Sequence, residues 1–377
     1  MAPSLPEPRI QRLRLQDFRS YARLDLSLGA SVTAFCGPNG AGKTNLLEAI
    51  SLLSPGRGLR RATLSALARR DGPGTFSVLA DLETGTGPLT LATGLAPNEA
   101  GRECRIDREP VSSAMRFLDH LTLLWLTPDQ DGLFRGPAGD RRRFLDRLVL
   151  AVDSAHGSRV SAFENALRHR NRLLEEGGGP RWLDAIEQEI VELGTAVAAA
   201  RAETVARLDA LAERDAALMA PFPFARLTLE GELEQRLGTM TAGGVEDWYR
   251  VTLHDSRARD RAAGRTLTGP QASDLGVLHG PKGEPAATCS TGEQKALLLG
   301  LVLAQARLIG QMRGQPPMLL IDEVAAHLDG DRRAALYRIL QMLGGQVFLT
   351  GTDPLLFEAL GNGTSLMMVR DGDVTHA

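Results

Sequence analysis

Gly37, Gly42, Lys43 and Thr44 stand in the run GPNGAGKT at the spacing G-x-x-x-x-G-K-T. Glycines so placed let backbone N–H groups turn inward around an anion, and a helix starting at the end of the loop adds the positive end of its dipole. A lysine there reaches the terminal phosphates, and a threonine puts its hydroxyl on Mg2+. The chemistry implied is capture of ATP with Mg2+ by Gly37, Pro38, Asn39, Gly40, Ala41, Gly42, Lys43, Thr44 and Asn45. A tight glycine turn ahead of a helix is the alternative. The chain has only three lysines, and two of them, Lys43 and Lys295, fall in candidate nucleotide motifs, which favours the ligand-binding reading.

A second set of chemical groups lies far downstream. In PPMLLIDEVAAHLD, the apolar run Met318 to Ile321 ends in Asp322 and Glu323. A carboxylate at the end of a buried strand holds Mg2+, and the next one polarises an attacking water. Asp322 joins Thr44 as a candidate metal ligand, and Glu323 joins Lys43 as a candidate catalytic residue. Between the two sets, Ser290, Thr291 and Gly292 read as the start of a strongly apolar helix, and free N–H groups at such a start bind anions. After the acids, Gln346 to Asp353 (QVFLTGTD) reads as a further core strand with a polar end. The order of phosphate loop, helix start, acidic strand and Leu328-Asp329 resembles that of ABC-type ATPases. In those enzymes a signature helix of one subunit closes over the phosphate held by the other. A switch residue, usually histidine, follows the last strand there, and the candidates for it here are Thr350 and Thr352.

These residues need elements to hold them. Val32 to Cys36 reads as a short buried strand before the loop, and Leu46, Leu47 and Ile50 fall at helical spacing after it. Loop and acids are almost a whole chain apart, so the site must be assembled from both ends. Phe76 to Ile106 alternates in short segments separated by TGTGP and PNEAG, the pattern of antiparallel hairpins. From Ser154 the pattern is helical to about Glu176. It breaks at GGGP (Gly177 to Pro180) and resumes from about Trp182 to Met219. Ile190, Val197, Thr204, Leu211 and Leu218 recur every seven residues, with Ile186 and Leu193 on the same stripe. The pair reads as a short antiparallel coiled-coil-like arm, the longer helix reaching roughly 55 Å. The expected fold is α/β: an ATPase head built from residues 1–122, with the phosphate loop and a β-subdomain, and from residues 268–377. A mainly helical arm domain is inserted over residues 123–267.

Bulk properties narrow the class. With 377 residues, 43% hydrophobic content and a formal charge of −3, the chain is long enough for two domains and neither strongly basic nor acidic. No apolar run reads as membrane-spanning, and MAPSLPEPRIQRLRL lacks the apolar stretch of a secretory leader. Cys36, Cys104 and Cys289 show no metal-ligand spacing and fit a reducing cytoplasm.

Nearly the whole chain resembles the RecF family of SMC-related ATPases. The likeness is carried by LRLQDFRSYARLDL, GPNGAGKTNLLEAI, GRGLR, TPDQDGLFRGPAGDRRRFLD, GRTLTGPQASDL, the signature and LLIDEVAAHLD. The TPDQ…RRRFLD stretch is the most family-specific. Ser20 stands where the family usually has asparagine, Gly269-Pro270-Gln271 replaces a GPH-type motif, and His327 replaces the usual acid before Leu-Asp. Gln130 is the candidate for the glutamine that senses phosphate. The resemblance implies that Arg19, Ser290, Gly292 and Asp329 contact nucleotide. It also implies an ATP-dependent homodimer with weak, DNA-stimulated ATPase activity that binds double-stranded, gapped or junction DNA. Such a protein works in the cytoplasm at the nucleoid with RecO and RecR to load RecA onto strands coated with SSB. The candidate DNA contacts are arginines: Arg57, Arg60 and Arg61 first, then Arg168, Arg170 and Arg172, and Arg257, Arg259, Arg261 and Arg265. Arg141 to Arg143 read as structural or interfacial. No aromatic platform accompanies the clusters, so the expected contacts are to phosphates. An ABC transporter subunit, another SMC-like ATPase and a metabolic P-loop kinase share parts of this pattern. The long insertion between Gly42 and Ser290, and RRRFLD, separate the chain from the first; its short arm separates it from the second; the signature separates it from the third.

Overall fold

The computed structural model describes residues 7–99, 101–323, 328–361 and 363–377. The chain divides into two compact units: residues 1–131, 217–222 and 298–377, and residues 132–216 and 223–297. The first unit carries two six-stranded sheets. One follows the order Asp373–His376, Thr364–Arg370, Val32–Cys36, Val347–Gly351, Met318–Ile321 and Leu123–Leu126, and is parallel except for its terminal hairpin. Val32–Cys36, Val347–Gly351, Met318–Ile321 and Leu123–Leu126 are buried at every position. A parallel sheet covered on both faces produces such unbroken apolar runs. Because the strands are parallel, Cys36, Ile321 and Gly351 end at one edge of the sheet, the edge at which open α/β sheets bind ligands.

The second sheet of this unit is antiparallel, in the order Tyr21–Ser27, Arg9–Phe18, Phe76–Thr84, Gly87–Leu95, Glu103–Ile106, Glu109–Pro110. The hairpins expected between Phe76 and Ile106 are present. A shared core joins this sheet to the helix after the phosphate loop: Leu13, Leu15 and Val78 cluster with Leu46, Leu47 and Ile50.

The second unit is mainly helical. Helices His156–Glu176 and Pro180–Arg214 form the antiparallel pair, joined at Gly177, Gly178 and Gly179. The heptad stripe is buried from Ile190 through Leu211, but the helix ends at Arg214 and Leu218 is half-exposed beyond it, so the repeat stops one position early. Core burial accounts for the first part of the stripe: Ile190, with Ile186 and Leu193 packed beside it, clusters with Phe163, Leu167, Val245, Tyr249 and Leu253. A three-stranded antiparallel sheet, Glu284–Pro285, Asp274–His279 and Ala225–Glu230, completes the unit.

The 23-residue helix Thr291–Arg313 is, by length and composition alone, apolar enough to cross a membrane, which corrects the expectation that no segment is. Gly, Gln and Lys interrupt its apolar run in sequence without lowering the average far. It is a core helix: from Ala296 to Ile309 every residue but Arg307 is buried.

One buried ionic cluster deep in the helical unit yields a stability prediction. Arg170 is fully buried, and its guanidinium donates to Glu187 Oε1, Asp260 Oδ2, Thr266 Oγ1 and the Leu253 carbonyl, each at 2.8 Å. Arg170→Met removes every one of these donors and leaves two buried acids short of charge, at a cost of about 3–5 kcal/mol. Urea denaturation followed through this unit is expected to show a loss of unfolding free energy of that size, and an unchanged midpoint would refute the structural role. Arg170→Lys is not expected to rescue, because a single ammonium cannot replace the planar fork.

Candidate functional site

The phosphate loop leaves the parallel sheet at Cys36 and enters the helix Lys43–Ser51. Two of its glycines are required by geometry. A Cβ on Gly37 would lie 2.2 Å from the Val369 carbonyl oxygen, an overlap with backbone that no side-chain movement relieves. Gly42 has φ 110°, a conformation that disfavours every residue with a Cβ, and the Tyr21 hydroxyl donates to its carbonyl at 3.1 Å. Lys43 is buried, with its ammonium donating to the carbonyls of Gly37 (2.8 Å) and Pro38 (2.9 Å). Its charge therefore sits folded against the loop.

The two ends of the chain meet here. The Thr44 hydroxyl donates to Asp322 Oδ1 at 2.9 Å, across 278 positions of sequence. The Thr350 hydroxyl donates to the same oxygen at 2.7 Å and accepts the Glu323 backbone N–H at 2.9 Å. Burial pushes the Asp322 carboxyl above the usual carboxylate range, against the pull of the Thr350 and Thr44 hydroxyls. Glu323 adopts φ 55°, an uncommon value for a residue with a side chain. Asn39, Gly40, Gly42, Lys43, Thr44, Asn45, Leu59, Arg60, Thr127, Pro128, Asp129, Asp322 and Glu323 line one open cleft of about 330 Å³. Oxygen donors of Thr44 and Asp322 meet at its wall, a donor set that suits a hard divalent cation. Thr127 and Asp129 are additions that the sequence reading missed. The TPDQ run marks their segment, and within it the motif points to Gln130. That side chain turns back to accept from the Thr127 N–H at 3.0 Å and does not line the cleft.

Other predicted contacts are placed elsewhere. Arg19 does not line the cleft; it makes a two-pronged pair with the fully buried Glu48 (2.7 and 2.8 Å) and donates to the Ala66 carbonyl. Ser20, the family departure, accepts from Asn45 at 3.0 Å. Ser290 opens the Thr291–Arg313 helix through a reciprocal cap. Its N–H and hydroxyl both donate to Glu293 Oε2, at 2.9 and 2.8 Å. Lys282 pairs with the other Glu293 oxygen, and that pairing, with the Ser290 donors, holds the Glu293 carboxyl down at about 2. Gly292 follows in the exposed N-terminal turn, where an added Cβ would meet only open space. Asp329 caps the Gly330–Leu343 helix by accepting from the Arg332 N–H at 2.8 Å. His327 lies outside the described residues.

The arginine clusters do not behave as clusters. In the first, Arg60 lines the cleft and donates to Asn45 Oδ1 (2.8 Å) and Glu48 (3.4 Å), while Arg57 and Arg61 are exposed. Arg170, in the second, is the buried hub described above and is not available to DNA. The third is largely structural: Arg257 pairs with Asp184 and Glu187, and Arg261 donates to the Leu174 carbonyl. Arg141 grips Asp274 and Arg142 the Ser273 carbonyl, which makes both structural. Cys36, Cys104 and Cys289 are buried and free. Among the described residues, no group of His, Cys, Asp and Glu could hold a further metal ion.

Residues 9–375 match the family described as RecF/RecN/SMC N terminal domain. The chain is 54% identical to the DNA replication and repair protein RecF of Brucella abortus (strain 2308), over 97% of this chain and 96% of that one. Its fold is similar to a solved structure of "the recombination mediator protein RecF-ATP in RecFOR pathway", with a TM-score of 0.86 at 22% identity over 98% and 99% of the two chains. It is also similar to the Smc head domain of Pyrococcus furiosus bound to the C-terminal domain of ScpA, with a TM-score of 0.54 at 16% identity over 98% and 96%.

Proposed function

The chain belongs to the RecF family of SMC-related ATPases, and from that premise we propose that it is an ATP-dependent DNA-binding protein of DNA replication and repair. In this reading it dimerises on ATP, binds double-stranded DNA at gaps or junctions, hydrolyses ATP slowly, and helps RecO and RecR load RecA in the cytoplasm. The observation that carries the reading is the hydrogen bond from Thr44 to Asp322, which brings the phosphate loop and the acidic strand into one cleft.

The residues divide the work. Backbone N–H groups from Asn39 to Thr44 cradle the phosphates, and Lys43 exchanges its two carbonyl partners for phosphate oxygens. Thr44 and Asp322 hold Mg2+, which supplies positive charge where phosphoryl transfer concentrates negative charge. Glu323 takes the proton of the attacking water. Arg60, on the cleft wall, faces the nucleotide, and Arg57 and Arg61 contact DNA phosphates. Ser290 and Gly292 meet the terminal phosphate bound by a second copy of the chain, and the Ser290 hydroxyl then leaves Glu293.

Light scattering tests the reading: the mass is expected to double with ATP and Mg2+, and to rise again with gapped duplex DNA. Lys43→Met is the matched control. It is expected to lose nucleotide affinity by at least about a hundredfold, the scale of two charge-assisted hydrogen bonds at roughly 1.5 kcal/mol each, and not to dimerise. Unchanged affinity in fluorescent-nucleotide titration would mean that the loop is misread. Dimers without ATP dependence would refute the composite site.

A further inference from the structure

We propose that Thr350 is a positioning residue that sets the two acids of the cleft, Asp322 and Glu323, in register with each other; the proposal rests on the reading of Glu323 as the base. The strand Val347–Gly351 lies between Val32–Cys36, which carries the phosphate loop, and Met318–Ile321, which carries the acids. Thr350 is thus placed between the two halves of the site. It is fully buried in a strand whose preceding members are Val347, Phe348 and Leu349, where valine would pack as well.

What valine lacks is the hydroxyl, and that hydroxyl is used twice. It donates to Asp322 Oδ1 and accepts the N–H of Glu323. The first bond joins that of Thr44 on the same oxygen. Among the described residues, both side-chain hydrogen bonds that Asp322 accepts fall on Oδ1, which leaves Oδ2 to a cation. The second bond fixes the one backbone N–H that belongs to a residue with φ 55°. A left-handed glutamate persists only where its surroundings hold it. Here the holding group is a side chain on the neighbouring strand, so the direction in which Glu323 leaves the backbone depends on it. Satisfaction of a buried hydroxyl alone would need one partner; Thr350 has two, one at each acid.

The experiment compares Thr350→Val and Thr350→Ser in the full chain. In the valine variant, amide hydrogen exchange at Glu323 is expected to rise about tenfold or more, since its N–H loses its acceptor. The gain in nucleotide affinity on adding Mg2+ is expected to shrink, while affinity without Mg2+ stays unchanged. The rate constant kcat falls about tenfold to a hundredfold with KM little altered. Thr350→Ser, which keeps the hydroxyl and drops a methyl, restores all three. A valine variant with wild-type exchange and wild-type Mg2+ dependence overturns the proposal. So does a serine variant that matches valine, because the methyl and not the hydroxyl would then matter. If the unmodified protein hydrolyses no ATP, the reading of Glu323 fails, and the exchange and Mg2+ arms still decide Thr350.

Discussion

Replacing Glu323 with glutamine is expected to leave ATP bound and unhydrolysed. The side chain lines the phosphate cleft beside Asp322, and its backbone N–H donates to the Thr350 hydroxyl. Glutamine has the same shape and tolerates the same backbone conformation, so the fold and the cleft survive. It cannot take a proton, and general-base catalysis is worth about a hundredfold to ten-thousandfold in rate. Turnover should fall by that range in a phosphate-release assay, while equilibrium nucleotide binding changes little. In the dimer proposed above, hydrolysis is the exit, so the ATP-bound species should accumulate and become visible by light scattering. A Glu323→Gln protein that turns over ATP at the unmodified rate would remove Glu323 from the reaction and direct attention to Asp129, the third carboxylate on the cleft wall beside Asp322 and Glu323.

The second large effect concerns the signature. Ser290→Arg is expected to bind ATP as a monomer and to stop there. Residues 37 to 45 are untouched, so nucleotide affinity of the single chain is preserved. At position 290 the present hydroxyl and N–H are engaged with Glu293 in a reciprocal cap, on an exposed surface where a longer side chain is tolerated without unfolding. A long cationic side chain at this helix start would also meet Lys282, which pairs with Glu293, so like charges would compete for one carboxylate. In the closed dimer the same bulk would occupy the space meant for the opposing terminal phosphate. Hydrolysis and ATP-dependent retention on DNA should disappear together, because both need the closed form. Light scattering with ATP and Mg2+, run beside a nucleotide titration, separates the outcomes. A variant that still doubles its mass would show that Ser290 is no part of the interface.

Much of this was legible in the chain alone, for identifiable reasons. The phosphate loop is local: glycine spacing, one lysine and one threonine between a strand and a helix define it without knowledge of anything distant. Three of the four wholly buried strands of the parallel sheet, Val32–Cys36, Met318–Ile321 and Val347–Gly351, announce themselves in the sequence, and the hairpins from Phe76 to Ile106 by alternation and turns; the fourth strand, Leu123–Leu126, falls in the stretch expected to be helical. The helix pair follows from periodicity on either side of GGGP. Asp322 and Glu323 were found because an apolar strand ended in two acids at the right place in the motif order.

What tertiary structure decided is everything that depends on which distant groups arrive together. The end of the heptad stripe is one case. Leu218 keeps the spacing, but the helix stops at Arg214, a matter of packing that periodicity does not encode. The arginines are another. Arg57, Arg60 and Arg61 look alike in sequence, yet only Arg60 lines the cleft, and Arg170, two residues from Arg168, is buried among acids supplied by Glu187 and Asp260. A guanidinium is read as exposed by default because desolvating it is costly, and the sequence does not show the carboxylates that offset the cost. The motifs of Arg19 and Gln130 point to nucleotide, but the side chains turn to Glu48 and to their own loop. Thr350 shows the limit most directly. Within QVFLTGTD it is one threonine of two, and its two bonds exist only because the sheet order sets its strand between the loop strand and the acid strand. Strand order is fixed by the shared burial of many side chains at once, and no short stretch of the chain carries that information.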